Sequence, residues 1–373
     1  FCVRGVEMTI MEYVQERIAT LHDYGEANPD APTDSAAVVV PMTERDHASL
    51  AAERVFETLA HVDPERVYVA LRASEEQVRA VTAWMDGFDI DAEVLWCNAP
   101  RIDERLRERG LPEDAGKGRD VWLALGVAAR HDYVAVHDAD TSNYTIAHVN
   151  KLLAPLADDF EFVKGYYARV ENGQLYGRLF RLFVRPLLRA LDETTDHAVV
   201  DYLLAFRYAL AGEFAATSDV IRSLRAQPGW GLEIGTLGDA YDAAGFAGSA
   251  QVDLGTHEHD HRSVGGPSGL GDMCQEVGQA LFRVLADHGV GLDYDRLREA
   301  YRTAADDLVR QYGADAHFNG LDYDPASERQ QVGEYVRGIA QPSEDRRLPA
   351  WASCEIAPET ILSLSRDAID AVE

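Results

Sequence analysis

Four short apolar runs, separated by helix-patterned stretches, set the tightest limit on what this chain can fold into. They are Ala36 to Pro41, Arg66 to Leu71, Ala92 to Trp96 and Tyr133 to Val136. Between them, Leu50, Val55 and Leu59 mark one helix, and Ser74 opens a second with Glu76 and Val78 inside it. Gly116-Lys117-Gly118 opens a third, through Val121, Leu125 and Ala128. Runs this short suit strands buried on both faces, and helices between them act as crossovers. Such alternation predicts an α/β fold: a mostly parallel, Rossmann-like sheet flanked by helices. The sequence contains no internal repeat and no low-complexity linker.

The fourth run ends in His137-Asp138-Ala139-Asp140. Alternate side chains on extended backbone point to the same side, so Asp138 and Asp140 can converge on one hard cation. Many sugar-nucleotide glycosyltransferases hold the diphosphate of their donor with an Asp-X-Asp at a strand end. In a chain this acidic, the same residues also read as a surface turn.

The chain has 373 residues, 46% of them hydrophobic, enough for a sizeable core. Asp and Glu number 64 against 35 Lys and Arg, a formal net charge of −29. That excess disfavours nucleic-acid or anionic-membrane binding. It suits a halophilic, salt-rich cytoplasm in which surface charges are screened. Cys2, Cys97, Cys274 and Cys354 are scattered, which argues against a structural zinc site or a disulfide framework. No run is long enough to cross a membrane. Phe1 to Glu7 precede Met8 and do not resemble a secretory leader, so the expected location is cytoplasmic.

Residues 1–34 read as an N-terminal helical segment, with Ile10, Val14, Ile18 and Leu21 at helical spacing. Residues 35–170 read as a nucleotide-sugar-binding half that includes a further strand, Glu161 to Tyr167. Residues 171–270 read as an acceptor-binding half ending in the strand Ala250 to Leu254. Residues 271–373 read as a helical region followed by a tail. Beyond Tyr323 that tail is polar, with Pro325, Pro342 and Pro349, and is expected to wrap over the surface or a neighbouring subunit.

Four segments occur in a recognisable order. They are Gly116-Lys117-Gly118, Asp138-Ala139-Asp140, Gly229-Trp230-Gly231-Leu232-Glu233-Ile234-Gly235, and Val252 through Thr256-His257-Glu258-His259-Asp260-His261-Arg262. Arg185-Pro186-Leu187-Leu188 and Gly212-Glu213-Phe214-Ala215-Ala216-Thr217 fit the same pattern. From about residue 36 to about residue 290 the chain resembles the retaining GT-A glycosyltransferases of the glucosyl-3-phosphoglycerate synthase family, which includes related mannosyl enzymes. The resemblance implies a GT-A fold with a C-terminal helical acceptor and dimerisation part, an NDP-sugar donor, Mg²⁺ or Mn²⁺, and a homodimer.

Residue by residue, the resemblance makes Asp138, Asp140 and His259 the metal ligands, and Lys117 the lysine that contacts the nucleotide. Two carboxylates and an imidazole can hold Mg²⁺ or Mn²⁺ against a diphosphate. His257 and His261 alternate with His259, so strand-like backbone would present all three on one side, a set that zinc could also use. Pro41 to Glu44 follow the first strand, where the base and ribose are expected, with Glu44 the candidate for the base. The usual acidic Gly/Ser-rich loop after the second strand is replaced by Arg72-Ala73-Ser74-Glu75, which leaves UDP-glucose, GDP-glucose and GDP-mannose all open as donors.

Glu233 is the expected catalytic residue on the acceptor side, although a glutamate at a helix start is also favoured by the dipole. Gly177 and Arg178 match the pair that grips the phosphate of 3-phosphoglycerate. Two residues on, this chain has Phe180 where the family has threonine, so one phosphate contact is missing. Arg181 could compensate; otherwise Arg181, Arg185 and Arg189 read as the solvated face of a helix. The expectation is a metal-dependent retaining transfer of a hexose, glucose first, to 3-phosphoglycerate or a similar small anion, with a product that fits an anionic compatible solute. Two other readings compete. One is an inverting GT-A transferase acting on a lipid or polysaccharide acceptor. The other is a non-catalytic nucleotide-sugar-binding protein.

Overall fold

The computed structural model describes residues 15–112, 114–258 and 266–372. Each apolar run forms a strand, since β-branched and aromatic side chains pack well on a sheet covered on both faces. In chain order the strands are β1 (Ala19–Leu21), β2 (Ala36–Thr43), β3 (Arg66–Arg72), β4 (Ala92–Trp96), β5 (Tyr133–Val136) and β6 (Phe162–Ala168). They continue with β7 (Val170–Glu171), β8 (Gln174–Leu175), β9 (Phe214–Thr217) and β10 (Ser249–Thr256). The helices are α1 (Leu50–Val62), α2 (Glu75–Met85), α3 (Pro100–Glu108), α4 (Lys117–Ala128), α5 (Ile146–Leu153), α6 (Arg185–Thr194) and α7 (Ala198–Ala205). After these come α8 (Ser218–Ser223), α9 (Leu232–Ala243), α10 (Gly266–Asp287), α11 (Tyr294–Phe318), α12 (Pro325–Tyr335) and α13 (Pro358–Val372).

Eight strands form one sheet in the order β1-β10-β6-β9-β5-β2-β3-β4, and β7 and β8 form a separate hairpin. Among the described residues of this eight-stranded sheet, β9 alone runs against its neighbours, β5 and β6. The chain builds outward from β2 to β3 and β4, then returns to β5 on the other side of β2. That reversal is the topological switch of an open α/β sheet, and ligands bind in the crevice beyond the strand ends there. The loops after β2 and β5, carrying Glu44 and Asp138, flank it.

The helix expected over residues 1–34 does not form in its described part. Residues 19–21 are instead the edge strand β1, parallel to β10, and Thr33–Ser35 is a single 3₁₀ turn. Edge pairing overrides the helical spacing: β10 offers unsatisfied backbone groups, and the Gln251 amide donates to Thr20 Oγ1 at 2.9 Å. Ile10 and Val14 lie outside the described residues. Strands of the two middle segments interleave in one sheet, with β9 inserted between β5 and β6.

The tail packs on this chain's own core. Trp351 stacks on Trp122 of α4, with ring centroids 4.2 Å apart, and donates to the Trp122 carbonyl at 2.8 Å. Gly126 makes room for it, since a Cβ there would collide with the Trp351 ring. Helix α13 then packs on β4, α3 and α4. Among the described residues, no helix is long and apolar enough to cross a membrane.

Candidate active site

Strand β5 is buried and ends at Val136, which projects Asp138 from its carboxyl end. Gly212, before the reversed strand β9, lets the Asp138 carboxylate lie against its backbone; a Cβ there would be 2.5 Å from Oδ2. On its other side, Asp138 accepts from Lys117 Nζ at 2.7 Å to Oδ1 and 2.9 Å to Oδ2. The same ammonium is 3.7 Å from Glu233 Oε1. One lysine therefore joins the aspartate motif expected at the donor and the glutamate expected at the acceptor.

Close backbone packing produces that meeting. A Cβ on Gly116 or Gly118 would collide with the carbonyl of Pro228 or Gln227, and Arg119 N donates to Pro228 O at 3.1 Å. The start of α4 thus lies directly on the loop that leads into α9. Gly231 opens α9 at φ 106°, a conformation that favours glycine. Glu233 stands in the first turn, where the helix dipole favours a carboxylate.

Burial works against the Lys117 ammonium, but the Asp138 and Glu233 carboxylates outweigh it and hold its pKa above the usual lysine value. Lys164 on β6 behaves oppositely. It is 1% exposed, donates to the Ala211 carbonyl at 2.6 Å, and burial pulls its pKa down to about 8 despite Glu233 and Glu213. Lys164 and the buried Glu213 are site residues that the sequence reading left without a role. Their signal was present only as a lysine inside an apolar strand and a glutamate beside Gly212.

The loop after Asp140 is stitched to the end of β10. Ser142 N donates to Glu258 O at 2.8 Å, and Asn143 Nδ2 donates to Thr256 O at 2.6 Å. Asp140 itself is half-buried. His259 and His261 lie outside the described residues. His257 is buried and stacks on Tyr167, with ring centroids 4.2 Å apart. Asp138, Glu213 and Glu233 all act on the two lysines, a local excess of negative charge that a hard divalent cation at Asp138 and Asp140 would offset. Among the described residues, no group of three His, Cys, Asp or Glu side chains is by itself placed to hold a metal ion.

Glu44 sits at the carboxyl end of β2, where the nucleotide base was expected, with Pro41 half-buried just before it in the strand. Its carboxylate accepts from the Ser74 backbone at 2.8 Å and the Ser74 hydroxyl at 2.9 Å, which lowers its pKa. Where the acceptor was expected, Gly177 has φ 73° and Arg178 is exposed. Phe180 is buried against Tyr208, with centroids 4.7 Å apart.

Arg181 does not lie on a solvated face. It is buried in an ion pair with Glu328, at 2.7 Å. The reason is local: residues 180–184 form a π-helical turn that rotates Arg181 inward. Arg185 is half-buried and donates to the Leu204 carbonyl at 3.2 Å.

No family model matches the chain. Curated proteins do. The glucosyl-3-phosphoglycerate synthase of Methanococcoides burtonii is 32% identical over 383 aligned positions, covering 91% of this chain and 93% of that protein. The synthase of Persephonella marina is 35% identical, covering 74% of this chain and 72% of its own length. The fold is shared with crystal structures of the Mycobacterium tuberculosis glucosyl-3-phosphoglycerate synthase. The complex with Mn²⁺, UDP and phosphoglyceric acid superposes with a TM-score of 0.53 at 23% identity, covering 74% of this chain and 88% of that one. The complex with Mg²⁺ and UDP gives 0.54 at 24% identity over similar shares. With a relative so similar along nearly its whole length, the chain belongs to the glucosyl-3-phosphoglycerate synthase family.

Proposed function

We propose that this protein is a metal-dependent retaining glucosyltransferase that moves glucose from UDP-glucose to 3-phosphoglycerate. The observation that carries the proposal is the Lys117 ammonium held between Asp138 and Glu233. A divalent cation on Asp138, Asp140 and His259 would offset charge on the departing diphosphate.

The chain's own residues supply the rest. Lys117 adds a fixed positive charge beside the leaving group, and its raised pKa keeps it protonated. Glu233 orients the acceptor hydroxyl and takes up its proton as the bond forms. Glu213 is walled inside the protein at 2% exposure, and Glu233 belongs to the acceptor. Transfer on the face that the leaving group vacates therefore accounts for retention. Arg178 holds the acceptor phosphate and Glu44 lies toward the base. Relatives crystallised with UDP-glucose and phosphoglyceric acid support this choice of substrates.

The test is transfer of labelled glucose to 3-phosphoglycerate with Mn²⁺ or Mg²⁺, crossed with GDP-glucose and GDP-mannose as donors. Product that depends on UDP-glucose and on metal, and that disappears with chelator or Asp140→Ala, is the expected result. Donor hydrolysis without transfer would remove the acceptor assignment. The proposal extends to a salt-rich cytoplasm, on the charge of −29. It also includes a homodimer, to be measured by light scattering in molar potassium chloride.

A further inference from the structure

Glu328 belongs to α12 in the tail, 150 residues beyond Arg178, yet its side chain is buried beside the acceptor loop. Arg181 grips the carboxylate with both outer nitrogens, Nη1 to Oε2 at 2.7 Å and Nη2 to Oε1 at 3.3 Å. Arg181 is itself held. Its Nε donates to Tyr176 O at 2.9 Å, Nη2 donates to Leu175 O at 3.2 Å, and its guanidinium lies 4.9 Å over the Tyr312 ring. The carboxylate is thus a rigid acceptor. Against it, Arg178 places only its Nε edge, at 3.2 Å.

A guanidinium has five N–H donors in a planar fork, so pinning the Nε edge leaves the outer edge oriented for a second anion. The Arg178 side chain is 45% exposed, as such an outer edge requires. Charge points the same way. Two guanidiniums and one carboxylate leave a single net positive charge, carried by the exposed Arg178. The tail is also fastened directly to this loop, since Asp322 N donates to Gly173 O at 2.8 Å in the β7–β8 hairpin.

We propose that Glu328 is a positioning residue for the acceptor. Held in place by Arg181, it accepts directly from Arg178 and fixes the plane of that guanidinium, so that its outer edge meets the phosphate of a small phosphorylated acid. This rests on Arg178 being the acceptor arginine, and it makes α12 part of the acceptor site. Phosphate affinity then depends on a carboxylate that never touches the substrate.

The experiment uses the full chain and initial rates with UDP-glucose and 3-phosphoglycerate, for wild type, Glu328→Gln and Glu328→Asp. Aspartate keeps the charge facing Arg181 but is one methylene too short to hold both arginines. Both variants should raise the acceptor KM about tenfold, the cost of a loosened charge-assisted contact, with kcat and the donor KM within about twofold of wild type. An unchanged acceptor KM in both, or donor and acceptor KM rising together, overturns the proposal. So does loss of folding in both variants, which would make Glu328 a core residue only. Failure of the wild type to glucosylate 3-phosphoglycerate is read before any variant and sinks the proposed function instead.

Discussion

At the scale of single residues, the site is a balance of buried charge, and Lys164 offers the cleanest test of it. In the unfolded chain a lysine holds its proton to about pH 10.4. In the folded protein, burial lowers that value to about 8. Between these two values the unfolded state binds more protons, so stability rises with pH from about 8 to about 10. Below pH 8 the full burial cost, about 3 kcal/mol, is present. Urea denaturation of wild type and Lys164→Met at pH 7.5 and 10 should show the stability difference moving by about that amount in favour of wild type. A difference that stays constant across the range would falsify the assignment.

Asp138, Lys117 and Glu233 were legible in the sequence because each sits beside glycines or at a strand end that marks it. Lys164 was not, since a lysine at one position of an apolar strand carries no sign of the carboxylates brought to it by β9 and α9. Glu328 was less legible still. Its partners, Arg178 and Arg181, lie about 150 residues away, and the π-helical turn that aims Arg181 inward has no composition signature.

At the scale of elements, the contact between the start of α4 and the loop before α9 brings Lys117 to Glu233, the residues proposed for donor and acceptor. Gly118→Ala should separate them, since a Cβ at Gly118 would overlap the Gln227 carbonyl. The expected outcome is a loss of about 1–3 kcal/mol in stability from overpacking. It should come with a drop in kcat of about a hundredfold as Lys117 and Glu233 move apart. Thermal melting and steady-state kinetics on one preparation check both, and a variant with wild-type kcat removes the coupling.

The strand pattern was readable along the chain because strands of a parallel sheet are short, apolar and bounded by helices. The edge strand β1 was misread as helix because three residues hold too little periodicity to announce a partner more than 200 positions away. The orientation of β9 is likewise a property of the sheet, not of the four residues Phe214–Thr217.

At the scale of the whole molecule, the net charge of −29 and the indole stack at α4 set how the protein tolerates its surroundings. Carboxylate repulsion over the surface is relieved by screening, so the melting temperature should climb steadily from 0.1 to 2 M potassium chloride. A flat or falling profile would argue against a salt-rich habitat. Trp351→Ala removes an aromatic that fills the slot left by Gly126, and should cost about 3–5 kcal/mol in urea denaturation. That loss falls on the tail, which nothing in its polar, proline-bearing sequence identifies as a core component.

The stack also imposes an order of events during synthesis. Trp351 is made 229 residues after Trp122, a delay of about ten to fifty seconds at ordinary ribosome speeds. For that interval α4, which carries Lys117, has an open apolar side and no partner to close it. The stretch around α4, proposed to bind the donor, is therefore translated early but matures late. A chain cut short between residue 266 and Trp351 would carry Lys117, Asp138 and Asp140 and still present a bare indole to proteases and chaperones.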